Sequence, residues 1–134
     1  MKPLDHIQPY LLGALFVAAG SLHFKNPSMY ERIMPPYVPA HAQLVAISGF
    51  FEILGGVGVA LPRTRRAAGI GLIALLLGVF PANVYMATDA EKFASFAPAW
   101  LLYARLPLQF LLILWVYNAT VRPIASEDTG GLAP

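Results

Sequence analysis

Four apolar stretches, each near the roughly 20 residues needed to cross about 30 Å of hydrocarbon, predict an all-α polytopic membrane protein. Composition agrees. Of 134 residues, 57% are hydrophobic and 12% charged, against roughly 25% charged in an average soluble domain. The mean hydropathy is +0.61. A water-soluble chain this small has too much surface for so few charges to cover. The reading is one domain over residues 1–125, a four-helix bundle with spans at about 7–24, 42–61, 67–87 and 99–119.

The first span opens with Gln8 and Pro9, and Pro9 suits a first helical turn, where its missing N–H is no loss. Lys2 and the apolar run from Tyr10 fit a signal peptide loosely. No small-x-small site follows before a soluble domain, so the run reads as a retained helix. Between the first two spans, three prolines in Pro35-Pro36-Tyr37-Val38-Pro39 block helix. Ahead of them a short helix is expected over 27–34, with Ser28 near its start. Tyr30, Ile33, Met34 and Tyr37 suit either an interfacial aromatic belt or a lid over the bundle mouth.

The loop between the second and third spans reads Pro62-Arg63-Thr64-Arg65-Arg66. Three arginines in so short a loop argue that it is cytoplasmic. Both termini then share that side. Five Lys/Arg fall inside (Lys2, Arg63, Arg65, Arg66, Arg122) against three outside (Lys25, Arg32, Lys92). After the fourth span, residues 126–134 are acidic, Gly-containing and non-periodic, which predicts a disordered tail.

Several chemistries are excluded. The chain has no cysteine, so thiol nucleophiles, Cys-based zinc sites and iron–sulfur ligation are absent. No Gly-rich phosphate loop, nucleophile elbow or HExxH occurs. The net charge is +2 and the basic residues form no aromatic-interleaved stripe, so nucleic acid is not an expected partner.

What remains is a set of polar residues inside apolar spans: Ser48 and Glu52 in the second, Asn83 in the third, Arg105 and Gln109 in the fourth, and His23 at the end of the first. A charge in hydrocarbon is costly and normally faces a bundle interior with a partner. At about 1.5 Å per residue, Ser48 and Arg105 lie about 9 Å from the outer end, Glu52 and Gln109 about 15 Å, and Asn83 about 6 Å. The outer half therefore holds nearly all of them. Ser48 and Glu52 share a helix face, as do Arg105 and Gln109. Pro81 and Pro107 break helical hydrogen bonds beside Asn83 and Gln109, and the freed carbonyls need partners. Gly49, Gly55, Gly56 and Gly58 permit close helix approach along the second span.

Two readings stand. One is a structural network, although interhelical hydrogen bonds yield only about 0.6 kcal/mol each. The other is a ligand or proton site in which Arg105 pairs with Glu52 and offers a donor to a ligand carbonyl. Glu52 would then be the proton-linked group, and Asn83 and Gln109 would orient the ligand. His23 is expected as a hydrogen-bonded cap rather than a metal ligand, since His41 is its only plausible partner. A proton-coupled carrier is a weaker third reading.

Across residues 11–117 the chain resembles the DoxX-like family of small bacterial four-helix membrane proteins. The resemblance rests on Gly20-x-x-His23-Phe24, Pro27-x-x-Tyr30, the Pro35-to-Pro39 run and Ser48-Gly49-x-x-Glu52. It continues in Phe80-Pro81-Ala82-Asn83 and Arg105-Leu106-Pro107-Leu108-Gln109. The family takes its name from a small subunit of a thiosulfate:quinone oxidoreductase. The resemblance implies an accessory subunit of a membrane redox system rather than an enzyme on its own. It also implies a bacterial inner membrane, a quinone as the candidate cofactor, and partners among membrane oxidoreductase subunits. A homo-oligomer is a separate expectation, since four short helices give a carrier little room alone.

Overall fold

The computed structural model describes residues 3–95 and 97–122, and the side chains from residue 5 onward. The chain forms α1 (Pro3–Lys25), short α2 (Pro27–Arg32), α3 (His41–Ala60), α4 (Arg65–Thr88) and α5 (Ala99–Val116). A π-helical turn, Tyr117–Val121, continues α5. No strand occurs among the described residues. All but α2 are long and apolar enough to cross a bilayer, the architecture of a multi-pass membrane protein. The tail expected over 126–134 lies outside the described residues.

Helix α1 starts at Pro3, so Pro9 lies inside the helix rather than in its first turn. Asp5 in the first turn complements the positive end of the helix dipole. Helix α2 begins with Pro27 at its first position and stops at Arg32, two residues short of the expected end. The prolines beyond lie in a non-helical connector of turns and bends, in which the Val38 N–H donates to the Pro35 carbonyl at 3.1 Å. It turns sharply at Ala40, whose φ of 53° is left-handed, directly into α3.

Helix α1 packs chiefly on α3, α3 on α4, and α4 on α5. Two glycine pairs bring α1 and α3 together. A Cβ on Gly13 would sit 2.6 Å from the Gly56 carbonyl oxygen, and one on Gly20 would sit 2.8 Å from that of Gly49. On each helix the two glycines are seven residues apart, two helical turns, so both pairs face the same antiparallel seam. On its other side α3 meets α4 through Gly55 against Leu72 and Gly58 against Ala68.

The end of the bundle that carries the arginine loop is closed. Leu12, Phe16, Val59, Leu72 and Val116 form its buried core. Thr64 Oγ1 donates to the Gly58 carbonyl at 2.7 Å, and Arg65 Nε to that of Val59 at 2.7 Å, capping the last turn of α3. Arg65 also lies over the Tyr10 ring. Trp115 Nε1 donates to Gln8 Oε1 at 3.2 Å, tying α5 to α1. At the opposite end a smaller cluster, Met86, Phe93 and Leu102, holds α4 to α5, with Ile33 packed against it. Leu11, Phe50, Phe51 and Leu111 are exposed, as lipid-facing residues should be.

Gly13→Ala and Gly56→Ala are expected to destabilise the protein by about 1–3 kcal/mol each, because the added methyl meets a backbone carbonyl that cannot rotate away. Gly71→Ala, where nothing lies within 4 Å of the added methyl, should be neutral or slightly stabilising. Thermal unfolding in mild detergent, followed by circular dichroism, checks the contrast.

Candidate functional site

The end that carries α2 is open. A cavity of about 710 Å³ runs between α1, α3, α4 and α5, with Tyr30, Met34 and Pro35 over its mouth. His23, Ser48, Glu52, Asn83, Arg105 and Gln109 all line it. Thus the six polar residues that the sequence singles out share one space. Ile47 and Leu108 also line it and are 51% and 54% exposed, so the cavity opens sideways towards lipid as well as endwise. Gly78 forms part of the wall, and nothing lies within 4 Å of the position its Cβ would take.

Glu52 faces α1. Its Oε2 lies 3.5 Å from His23 Nδ1, with both side chains largely buried. That nitrogen is closer to the Ala19 carbonyl, at 2.9 Å. A carbonyl only accepts, so Nδ1 carries the proton and donates to it. The His23 ring stacks on Tyr30, with centroids 3.9 Å apart and planes 17° from parallel. Burial, then the Glu52 carboxylate, hold the Tyr30 phenol above its ordinary value, while Arg105 pulls the other way. Tyr30 therefore sits within reach of both charges and forms part of the cavity wall.

The expected Glu52–Arg105 ion pair does not form. Glu52 is carried on α3, which packs between α1 and α4, whereas α5 packs on α4. The cavity lies between the two charges. Arg105 instead turns to α4, where its Nη1 lies 3.6 Å from Met86 Sδ. A thioether is a weak acceptor. This is the only hydrogen bond of the guanidinium among the described residues.

Asn83 and Gln109 form a separate, closed unit. Asn83 Nδ2 donates to Gln109 Oε1, and Gln109 Nε2 donates to the Leu76 carbonyl. Pro81 leaves the next carbonyl, that of Leu77, without its usual helical donor, and the distorted turn lets a neighbouring side chain reach the backbone. These contacts also correct the depth of Asn83. The pairs Arg105–Met86 and Gln109–Asn83 place the start of α5 about one turn beyond the end of α4. Asn83 is therefore level with Gln109 rather than nearer the surface. Most of the capacity of the two amides is used in holding α4 to α5.

Two features escaped sequence reading. Gly13, the partner of Gly56, carries a signal only in its seven-residue spacing from Gly20. Met86, the acceptor for Arg105, carries none. His41 does not join His23; its Nε2 hydrogen-bonds the Pro35 carbonyl at 3.1 Å and braces the proline connector. Among the described residues no group of three His, Asp or Glu could hold a metal ion. The cavity thus offers one carboxylate against an imidazole, one guanidinium with spare donors, a serine hydroxyl and mainly apolar walls.

Comparison with curated proteins and with solved structures returned no match. A family model described as a domain of unknown function (DUF8561) matches residues 12–120, which include all five helices from the third turn of α1 onward and the six polar cavity residues. The chain belongs to the DUF8561 family.

Proposed function

We propose that the cavity takes up a small amphipathic molecule from the bilayer and that Arg105 holds its polar head. The observation that carries this reading is Arg105 itself. It lies in a candidate membrane span, lines a lipid-open cavity of about 710 Å³, and among the described residues has only a thioether for a hydrogen-bond partner. An arginine at this depth costs several kcal/mol unless its donors are met, and a ligand carbonyl or other acceptor would meet them. Ser48 and the Glu52–His23 pair supply the opposite wall. The walls are otherwise apolar, as in small-molecule sites generally. The resemblance to DoxX-like proteins supports a quinone as the head group and an accessory place in a membrane redox system.

A second reading is favoured by Asn83 and Gln109, whose hydrogen bonds close on each other and on the α4 backbone. On that reading the polar residues fix helix register, and the protein is a structural or assembly component. The arginine loop supports an inner-membrane orientation with both termini cytoplasmic.

Mass spectrometry of lipid-extractable molecules from protein purified in mild detergent tests the ligand. An amphiphile should co-purify with wild type. Arg105→Met should reduce it at least tenfold, since a hydrogen bond to a charged group contributes about 1.5–3 kcal/mol. Gly78→Leu, which fills open space without touching any polar group, should fold normally and also displace it. No enrichment in folded wild type would favour the register reading.

Orientation is tested on the cysteine-free chain with single exposed cysteines, Pro62→Cys and Asn26→Cys. An impermeant maleimide added to intact cells should label only Asn26→Cys. Labelling of Pro62→Cys alone would invert the topology.

A further inference from the structure

Outside the large cavity, at the same end of the bundle, lies a smaller notch of about 250 Å³. It is lined by Met29, Arg32 and Ile33 from α2 and its end, and by Lys92, Phe93 and Ser95 from the α4–α5 connection. Both segments lie just beyond the spans: α2 follows the end of α1 at Lys25, and the connection follows the end of α4 at Thr88. That is the level of lipid head groups. The lining divides accordingly. Met29, Ile33 and the buried Phe93 make an apolar floor, while Arg32, Lys92 and the Ser95 hydroxyl make a polar rim.

The two halves of the notch are held in place. Ile33 packs against Met86, Phe93 and Leu102. Phe93 meets Tyr85 edge to face, with centroids 5.5 Å apart. Successive turn hydrogen bonds, Lys92 N–H to the Asp89 carbonyl and Phe93 N–H to that of Ala90, order the connection. Lys92 Nζ donates to the Tyr85 hydroxyl at 2.7 Å, which fixes its ammonium and leaves it two further donors. That hydrogen bond holds the Lys92 proton more firmly than usual, with a smaller contribution from Asp89. Glu31, Asp89 and Glu91 lie on the same two segments, yet no carboxylate lines the notch. Neither Arg32 nor Lys92 enters an ion pair among the described residues.

We propose that this notch binds the phosphate of an anionic membrane lipid, with Arg32 and Lys92 on the phosphate, Ser95 as a further donor and the first acyl carbons over Met29, Ile33 and Phe93. Two cations from different segments, neither in a salt bridge among the described residues and both facing one pocket at head-group level, suit a phosphodiester better than a zwitterionic head group. Occupancy would also clamp α2, and with it Tyr30 over the large cavity, to the α4–α5 connection. The notch shares Ile33 with the wall of the large cavity, but Arg32, Lys92 and Ser95 do not line that cavity, so the lipid site does not depend on the cavity ligand.

The test is native mass spectrometry of the full-length, delipidated protein titrated with dioleoylphosphatidylglycerol, dioleoylphosphatidylcholine or inorganic phosphate. Phosphatidylglycerol should be retained and phosphatidylcholine should bind far more weakly. Each cation near an anionic head group contributes about a fivefold factor, so Arg32→Gln with Lys92→Gln should weaken phosphatidylglycerol binding about 25-fold. Arg32→Lys with Lys92→Arg should restore most of it, which excludes simple misfolding. Equal binding by wild type and the double glutamine variant would overturn the site. Variant-sensitive binding of inorganic phosphate without phosphatidylglycerol binding would overturn the lipid assignment in favour of a soluble phosphate.

Discussion

The glycine seam between α1 and α3 sets the geometry of the open end. Gly20 and Gly49 let the two backbones approach until a Cβ on either would overlap the other helix. Three residues beyond each lie His23 and Glu52. A Cβ on Gly49 would fall 2.7 Å from His23 Cβ, so the missing side chain is what admits the imidazole. The pairing of His23 with Glu52 follows from that approach. It places an acid and a base from two helices on one wall, where a single helix would present only its own i and i+4 neighbours.

The same seam explains why the bundle is closed at one end and open at the other. Helix α3 uses opposite sides for α1 and α4, which leaves α5 to pack on α4 and, through Trp115 and the π-helical turn, on α1 only near the arginine loop. Towards α2 no helix fills the space between α1, α3 and α5. The polar residues around that space then fall into two kinds. Asn83 and Gln109 satisfy each other and a backbone carbonyl at the Pro81 distortion, so they stabilise the α4–α5 contact. Glu52 and Arg105 stand on opposite sides with the cavity between them. The two amides are satisfied by a neighbouring helix, whereas a guanidinium facing a thioether keeps most of its donors to spare.

The spans were readable because hydropathy is a local property: α3 and α4 fall within two residues of the ranges expected from the sequence. Membership of one polar cluster was readable too, because residues at i and i+4 and similar depth must share a space in a bundle of four. Partner choice was not. Opposite charge suggested Glu52 with Arg105, but which helices touch depends on Gly13 meeting Gly56 across 43 residues of sequence. Depth counted from helix ends misplaced Asn83, because α5 starts about a turn beyond the end of α4. Pro9 looked like a helix start because an internal proline and a first-turn proline read alike without knowledge of the preceding turn.

An experimental density map of the full chain in a lipid nanodisc would test the central claim most directly. The account requires an open cavity between α3 and α5 that holds elongated non-protein density, with one end within hydrogen-bond distance of Arg105 and the rest along the apolar wall towards Ile47 and Leu108. A cavity closed by α5 moving onto α3, with Arg105 paired directly to Glu52, would contradict it and leave the polar residues as a register-fixing network.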